Sequence, residues 1–158
     1  MTSSLGNRVI AFVEARMSGQ LGSLITRHGG IPYPAPVLQE VYFKNSPEVQ
    51  KLVSDMCSGY IHVIVLQTGV GTTALIETAE SMGLKEEFIH SLDESTVISR
   101  SPKPASVLRK HKIHIDIMPP EPYTSSDLIM SINSLSFPGK RVAIQQYGAP
   151  NSLLSQKL

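Results

Sequence analysis

HVIVLQTGVGTTALIETAESMG, residues 62–83, is the stretch on which the fold turns. HVIVLQ (62–67) is a nearly continuous apolar run, as expected of a strand buried on both faces of a sheet. Thr68-Gly69-Val70-Gly71 then makes a tight turn, and TTALIETAESMG (72–83) reads as a helix closed by Gly83. A doubly buried strand feeding a helix through glycines is the repeating unit of a parallel sheet with helices on its faces.

The same alternation extends in both directions. VIAFV (9–13) is a strand, and SGQLGSLITRHGG (18–30) is a helix with Leu21, Leu24 and Ile25 on one side. APVLQEVYF (35–43) is a second strand. SPEVQKLVSDMC (46–57) is a helix with Ser46 as N-cap and Pro47 at its first position. Beyond Gly83, Glu86, Glu87, Asp93 and Glu94 fall in a solvated connection. STVISR (95–100) is a strand, PKPASVLRKH (102–111) a helix, HIDIM (114–118) a strand, SSDLIMSINSL (125–135) a helix and RVAIQ (141–145) the last strand. Ser152 to Leu158 opens a further helix. The fold class is therefore α/β, a mainly parallel sheet flanked by helices. Functional groups belong in the loops after strand carboxyl ends, here 14–20 (with Arg16), 67–72, 100–104, 119–126 and 145–151.

Composition narrows the function. The 158 residues carry 14 basic and 13 acidic side chains, a net charge of +1, and 41% are hydrophobic. That balance gives no basic field for nucleic acid. Cys57 is the lone cysteine, so neither a disulfide framework nor a four-ligand zinc site is expected. Val9 to Val13, the first apolar run, is too short for a leader or a membrane span, and the default location is the cytoplasm.

The turn at 68–73 offers helix-start amides and the hydroxyls of Thr68, Thr72 and Thr73, which suit an anionic group. Gly69, Gly71 and Ala74 also spell G-x-G-x-x-A, part of a dinucleotide fingerprint. The next strand ends in Ser99-Arg100 where that fingerprint wants an acid, although Arg100 could face a 2′-phosphate, which keeps an NADP-binding α/β protein among the readings. A ligand-free tight turn is another. Ser101 and Lys103 stand at a second strand–helix junction whose prolines leave few donors. Thr124, Ser125 and Ser126 precede Asp127, where helix capping by Thr124 or Ser125 accounts for most of the pattern. The five histidines show no metal-ligand spacing, and neither a nucleophile with its base nor a carboxylate pair stands out. The site so described is made of amides and hydroxyls above a sheet.

GNRVIAFVEARMSGQLGSLI (6–25) can be laid over GKRVAIQQYGAPNSLLSQKL (139–158) without a gap, matching Gly6 with Gly139, Arg8 with Arg141 and Leu21 with Leu154. Either this is the generic start of two strand–loop–helix units, or residue 139 begins a second copy.

RVIAFVEAR, VIVLQTGVG, R-S-P-K-P-A-x-x-L, PEPYTSSDL and GKRVAIQQYG, in this order, resemble the uroporphyrinogen-III synthase family over nearly all of residues 6–158. They are most similar to its branch of stand-alone or regulator-fused synthase-like proteins. The resemblance implies a bilobed fold, with residues 1–40 in the amino-terminal part of lobe one and 41–158 in lobe two. It implies that a second pseudo-repeat opens at Gly139, and that the return leg completing lobe one is missing from a truncated chain. Such a chain is expected to expose apolar surface and to self-associate.

It also implies a reaction: the linear tetrapyrrole hydroxymethylbilane closes to uroporphyrinogen III, with loss of water and inversion of ring D. No cofactor and no metal are implied, and the partner is the tetrapyrrole, with neither nucleic acid nor membrane. Position by position, Thr68 and Gly69 match a Thr-Ser pair whose second hydroxyl is absent here. Ser101 to Pro104 match a glycine–x–x–threonine turn ending in proline instead. Thr124 and Ser125 match a Thr-Ser pair, and Gln146 and Tyr147 occupy the place of an Arg-Gly. The expected substrate-binding set is Arg16, Thr68, Gly69, Thr72, Ser101, Lys103, Thr124, Ser125, Gln146 and Tyr147. The family's leaving-group tyrosine would lie beyond Leu158, so no catalytic residue is assigned. The competing role is a non-catalytic ligand-sensing domain of a transcriptional regulator.

Overall fold

The computed structural model describes residues 4–38, 46–133, 137–146 and 154. The chain divides into two compact units, Met1–Val41 and Tyr42–Leu158.

In the first unit, β1 (Val9–Phe12) and β2 (Ile31–Pro34) pair in parallel, with Val9 opposite Ile31 and Phe12 opposite Pro34. They are joined by α1 (Ser18–Arg27). Gly22 of α1 lies against Pro32 and Phe12, where an added Cβ would stand 3.7 Å from the proline Cβ. The second strand is thus not at 35–43. Residues 35–38 are not strand, and 39–43 fall outside the described residues.

Prolines at 32, 34 and 36 argue against a strand when read singly, but their spacing of two removes the objection. Ile31 N donates to Arg8 O at 2.9 Å and Ala35 N to Phe12 O at 2.8 Å. Pro32 and Pro34 occupy the alternate positions, whose missing N–H groups would have pointed away from β1. On the sheet face away from Gly22, Val9, Ile31 and Tyr33 are at least half exposed.

The second unit is a three-stranded parallel sheet ordered β4-β3-β5, with β3 (Val63–Leu66) between β4 (Thr96–Ser99) and β5 (Val142–Ile144). All four residues of β3 are buried, as the apolar run at 62–67 predicts. Its side chains alternate between two cores. Ile64 and Leu66 pack with Val53 and Met56 of α2 (Pro47–Cys57) and with Leu75, Ile76 and Ala79 of α3 (Gly69–Ser81). Phe88 and Leu92 of α4 (Lys85–Glu94) and Leu108 of α5 (Pro102–Lys110) complete that core. Val63 and Val65 pack on the other face with Ile98, with Leu128 and Ile132 of α6 (Ser125–Ile132), and with Leu154. Leu154 is the one described residue of the helix expected at 152–158.

Three elements of the second unit also depart from expectation. The acidic stretch after Gly83 is a helix and not a connection, because Phe88, Ser91 and Leu92 supply a narrow buried stripe while its carboxylates face solvent. Helix α3 starts at Gly69, three residues early, since Thr68 caps it: its Oγ1 accepts from Gly71 N at 3.0 Å. The strand expected at 114–118 is reduced to a single bridge, Ile98 to Ile117. There the Asp116 carboxylate, in place of a backbone carbonyl, accepts the Val97 N–H at 2.7 Å, and this interrupts the ladder.

Candidate functional site

Because β4, β3 and β5 run parallel and in register, their carboxyl ends open at one rim. Three strand-exit segments meet there: the 67–71 turn, the 100–104 turn and the pair Gln145-Gln146. Contacts tie them together. An added Cβ on Gly69 would stand 2.9 Å from Lys103 O, so the first turns of α3 and α5 touch through bare backbone. Arg100 Nε donates to Tyr123 O at 3.3 Å, drawing in the 119–126 segment, and Arg100 N donates to Leu66 O at 2.9 Å.

The centre of the rim is a pair of glutamines, each the first residue beyond its strand. Gln145 N donates to Val65 O at 2.9 Å, which extends the ladder by one step. Gln67 Nε2 donates to Gln145 O at 2.8 Å. In return Gln145 Oε1 accepts the amides of Gln67 (3.1 Å) and Thr68 (3.0 Å), and Gln145 Nε2 donates to Thr68 Oγ1 (3.2 Å) and Gln146 O (3.1 Å). A Cβ on Gly71 would fall 2.1 Å from Gln145 Nε2. The space that the second glycine of a dinucleotide fingerprint leaves for a pyrophosphate is filled here by the protein's own carboxamide, so this glycine serves Gln145.

The expected site residues divide accordingly. Thr68, Gly69, Ser101, Lys103 and Gln146 gather at this rim. Ser101 precedes α5 without a side-chain capping bond, and Lys103 and Gln146 are exposed. Thr72 is at the rim by position, but its side chain is buried and its hydroxyl donates to Thr68 O at 2.9 Å, so it serves the helix. Thr124 caps α6 in a reciprocal box: Asp127 N donates to Thr124 Oγ1 (3.2 Å), while Thr124 N and Oγ1 donate to Asp127 Oδ2 (2.8 and 2.7 Å). Those Thr124 hydrogen bonds, the hydroxyl first, hold the Asp127 carboxyl below its ordinary range. Ser125 is the first residue of α6. Arg16 belongs to the first unit, where its amide donates to Glu14 Oε1 at 2.8 Å. Amide hydrogen bonds from Met17 and Arg16 lower the pKa of Glu14. Tyr147 lies outside the described residues.

The resemblance names Gln146 as a site residue and not Gln145, although the strand-exit loop 145–151 includes both. The signal is nevertheless present in V-I-V-L-Q and R-V-A-I-Q, two apolar strands each ending in glutamine. Among the described residues, no group of three or more His, Cys, Asp or Glu side chains is placed to hold a metal ion. No described helix is long and apolar enough to cross a membrane.

Residues 19–158 match the protein-family model described as Uroporphyrinogen-III synthase HemD. An uncharacterized protein of Bacillus subtilis (strain 168), YjjA, is 30% identical over 144 residues, which are 91% of this chain and 52% of that protein. A solved structure of Thermus thermophilus uroporphyrinogen III synthase superposes with a TM-score of 0.59 at 25% identity, covering 96% of this chain and 57% of that one. A mutant of the Thermus thermophilus enzyme gives a TM-score of 0.68 at 24% identity, with 96% and 56% covered. The chain thus spans about half the length of the relatives it matches. With a family model covering most of its length and parallel sheets flanked by helices as in the solved synthases, the chain belongs to the uroporphyrinogen-III synthase family.

Proposed function

We propose that this chain contributes the tetrapyrrole-binding rim of a uroporphyrinogen-III synthase, acting on hydroxymethylbilane in the cytoplasm, with residues 1–40 part of one lobe and 41–158 the other. One observation carries the reading: three strand exits of a single parallel sheet bring the Thr68 hydroxyl, the Ser101 hydroxyl, Lys103 and Gln146 to one edge, in a member of this family. Such a set suits a flexible guest bearing many carboxylates, because charge-assisted hydrogen bonds to fixed donors hold it without a strongly basic field.

The chemistry asks for little else. A pyrrole nitrogen lone pair expels the terminal hydroxyl as water once a proton is supplied, and the resulting cation is attacked by the terminal ring. Attack from the substituted carbon of that ring, followed by its inversion, gives the type III product. Attack from the free carbon gives type I. Selecting between the two is a matter of orientation, which fixed hydrogen-bond donors provide.

A second reading, a ligand-sensing relative without turnover, is favoured by the contact at Gly69. The Lys103 carbonyl sits 2.9 Å from where a side chain would begin, so the second hydroxyl of the family's Thr-Ser pair has no room.

Hydroxymethylbilane generated in place and incubated with the protein separates the two. After oxidation and chromatography, a synthase raises the type III to type I ratio above the spontaneous background. A ratio that stays at background rejects the enzyme, and binding without a change in ratio identifies the sensor.

A further inference from the structure

Building on the tetrapyrrole-site reading, we propose that Gln145 determines what the rim accepts, by making the Thr68 hydroxyl a donor only. Thr68 then takes hydrogen-bond acceptors such as carboxylate oxygens and turns away donors such as pyrrole N–H groups.

The orientation of the Gln145 carboxamide is fixed by its surroundings. Its Oε1 faces two backbone donors, Gln67 N at 3.1 Å and Thr68 N at 3.0 Å, and a flipped amide would set N–H against N–H. Nε2 is then obliged to donate, to Thr68 Oγ1 at 3.2 Å and to Gln146 O at 3.1 Å. Thr68 Oγ1 also accepts from Gly71 N at 3.0 Å. A hydroxyl has two lone pairs and one proton. Both lone pairs are therefore filled and the proton remains. In the ligand-free chain it makes only a long bond, 3.5 Å, to Gln145 Oε1, which already holds two amides, and a ligand carboxylate at ordinary distance would displace it.

The device is anchored on the backbone. Gln145 N pairs with Val65 O, Gln145 O accepts from Gln67 Nε2, and Gly71 has no Cβ to push the carboxamide aside. Gln145 itself needs no contact with the ligand, so it is a positioning residue acting through Thr68.

Gln145→Glu is the informative variant. It is isosteric and still accepts the two amides, but its second oxygen replaces a donor with an acceptor. The Thr68 proton turns to the new carboxylate and none is left for the ligand. Uroporphyrinogen III, kept reduced, serves as the probe with the 158-residue chain. The expected result is at least a tenfold loss of affinity against wild type at neutral pH, in a chain that still melts cooperatively, at a temperature lowered by the carboxylate oxygen that now faces Gln146 O. The ratio of the two affinities should return toward one as pH falls to about 4–5 and the new carboxyl regains a proton. Equal affinities at neutral pH, or a deficit that ignores pH, would overturn the proposal.

Should the wild-type chain fail to bind the probe, the tetrapyrrole reading is rejected, and the Gln145 assignment is decided on the ligand-free protein. Thr68→Val must then shift and speed the exchange of one Gln145 side-chain N–H in the nitrogen-edited spectrum. An unchanged pair of signals refutes it.

Discussion

Gly71 and Gln145 show how a single absent carbon can set a site. Alanine inside a helix is ordinarily better than glycine by about 1 kcal/mol. At Gly71 the added Cβ would lie 2.1 Å from Gln145 Nε2, in a side chain pinned by four hydrogen bonds. Gly71→Ala is therefore expected to lower stability by roughly 1–2 kcal/mol, the scale of overpacking. In a Gln145→Ala background the same change should turn neutral or stabilising, and urea denaturation of all four variants reads the coupling. At this scale the sequence shows donors but not their commitments. The turn at 68–71 and the hydroxyl of Thr68 are legible from spacing. That Thr72 spends its hydroxyl on Thr68 O, and that Gln145 rather than Gln146 organises the turn, depends on contacts in the folded chain, the latter across 78 residues.

Among the elements, α6 offers the cleanest test of local reasoning. Thr124 is legible as a cap because a threonine three residues before an aspartate forms a reciprocal box. Thr124→Ala should cost about 1 kcal/mol at neutral pH. The Asp127 carboxyl is held below its ordinary value in the folded state, so its stabilisation is complete above the unfolded carboxylate pKa. It is lost as pH falls through the lower folded value. The deficit of Thr124→Ala should then shrink in acid, below about pH 4, which melts of both proteins along a pH series would reveal. A deficit that grows in acid would contradict the assignment. Helix α4 is not legible, because two buried apolar side chains, Phe88 and Leu92, in a charged decapeptide fall short of a periodic stripe. β2 escapes a reading that weighs prolines one at a time, whereas a period of two leaves the parallel ladder intact.

For the whole molecule, strand–helix alternation specifies the parallel α/β class, and the order of five short motifs specifies the family. The fully buried β3 makes the sheet's centre recognisable from composition alone. What alternation does not reveal is which of the strand-exit loops come together, since that follows from strand order and register. The opposite end carries contacts among its own side chains. The Arg141 guanidinium stacks 3.9 Å from the centroid of the Tyr60 ring while Arg141 N donates to His62 Nδ1 at 3.0 Å. The proposed ligand site is the carboxyl-end rim.

The most direct test is to map backbone amide shifts of the labelled chain as reduced uroporphyrinogen III is added. A tetrapyrrole seated on the rim predicts changes concentrated at Thr68 to Gly71, Arg100 to Lys103 and Gln145-Gln146. Changes centred on Tyr60 to His62 and Arg141, or a spectrum that does not respond at all, would contradict it.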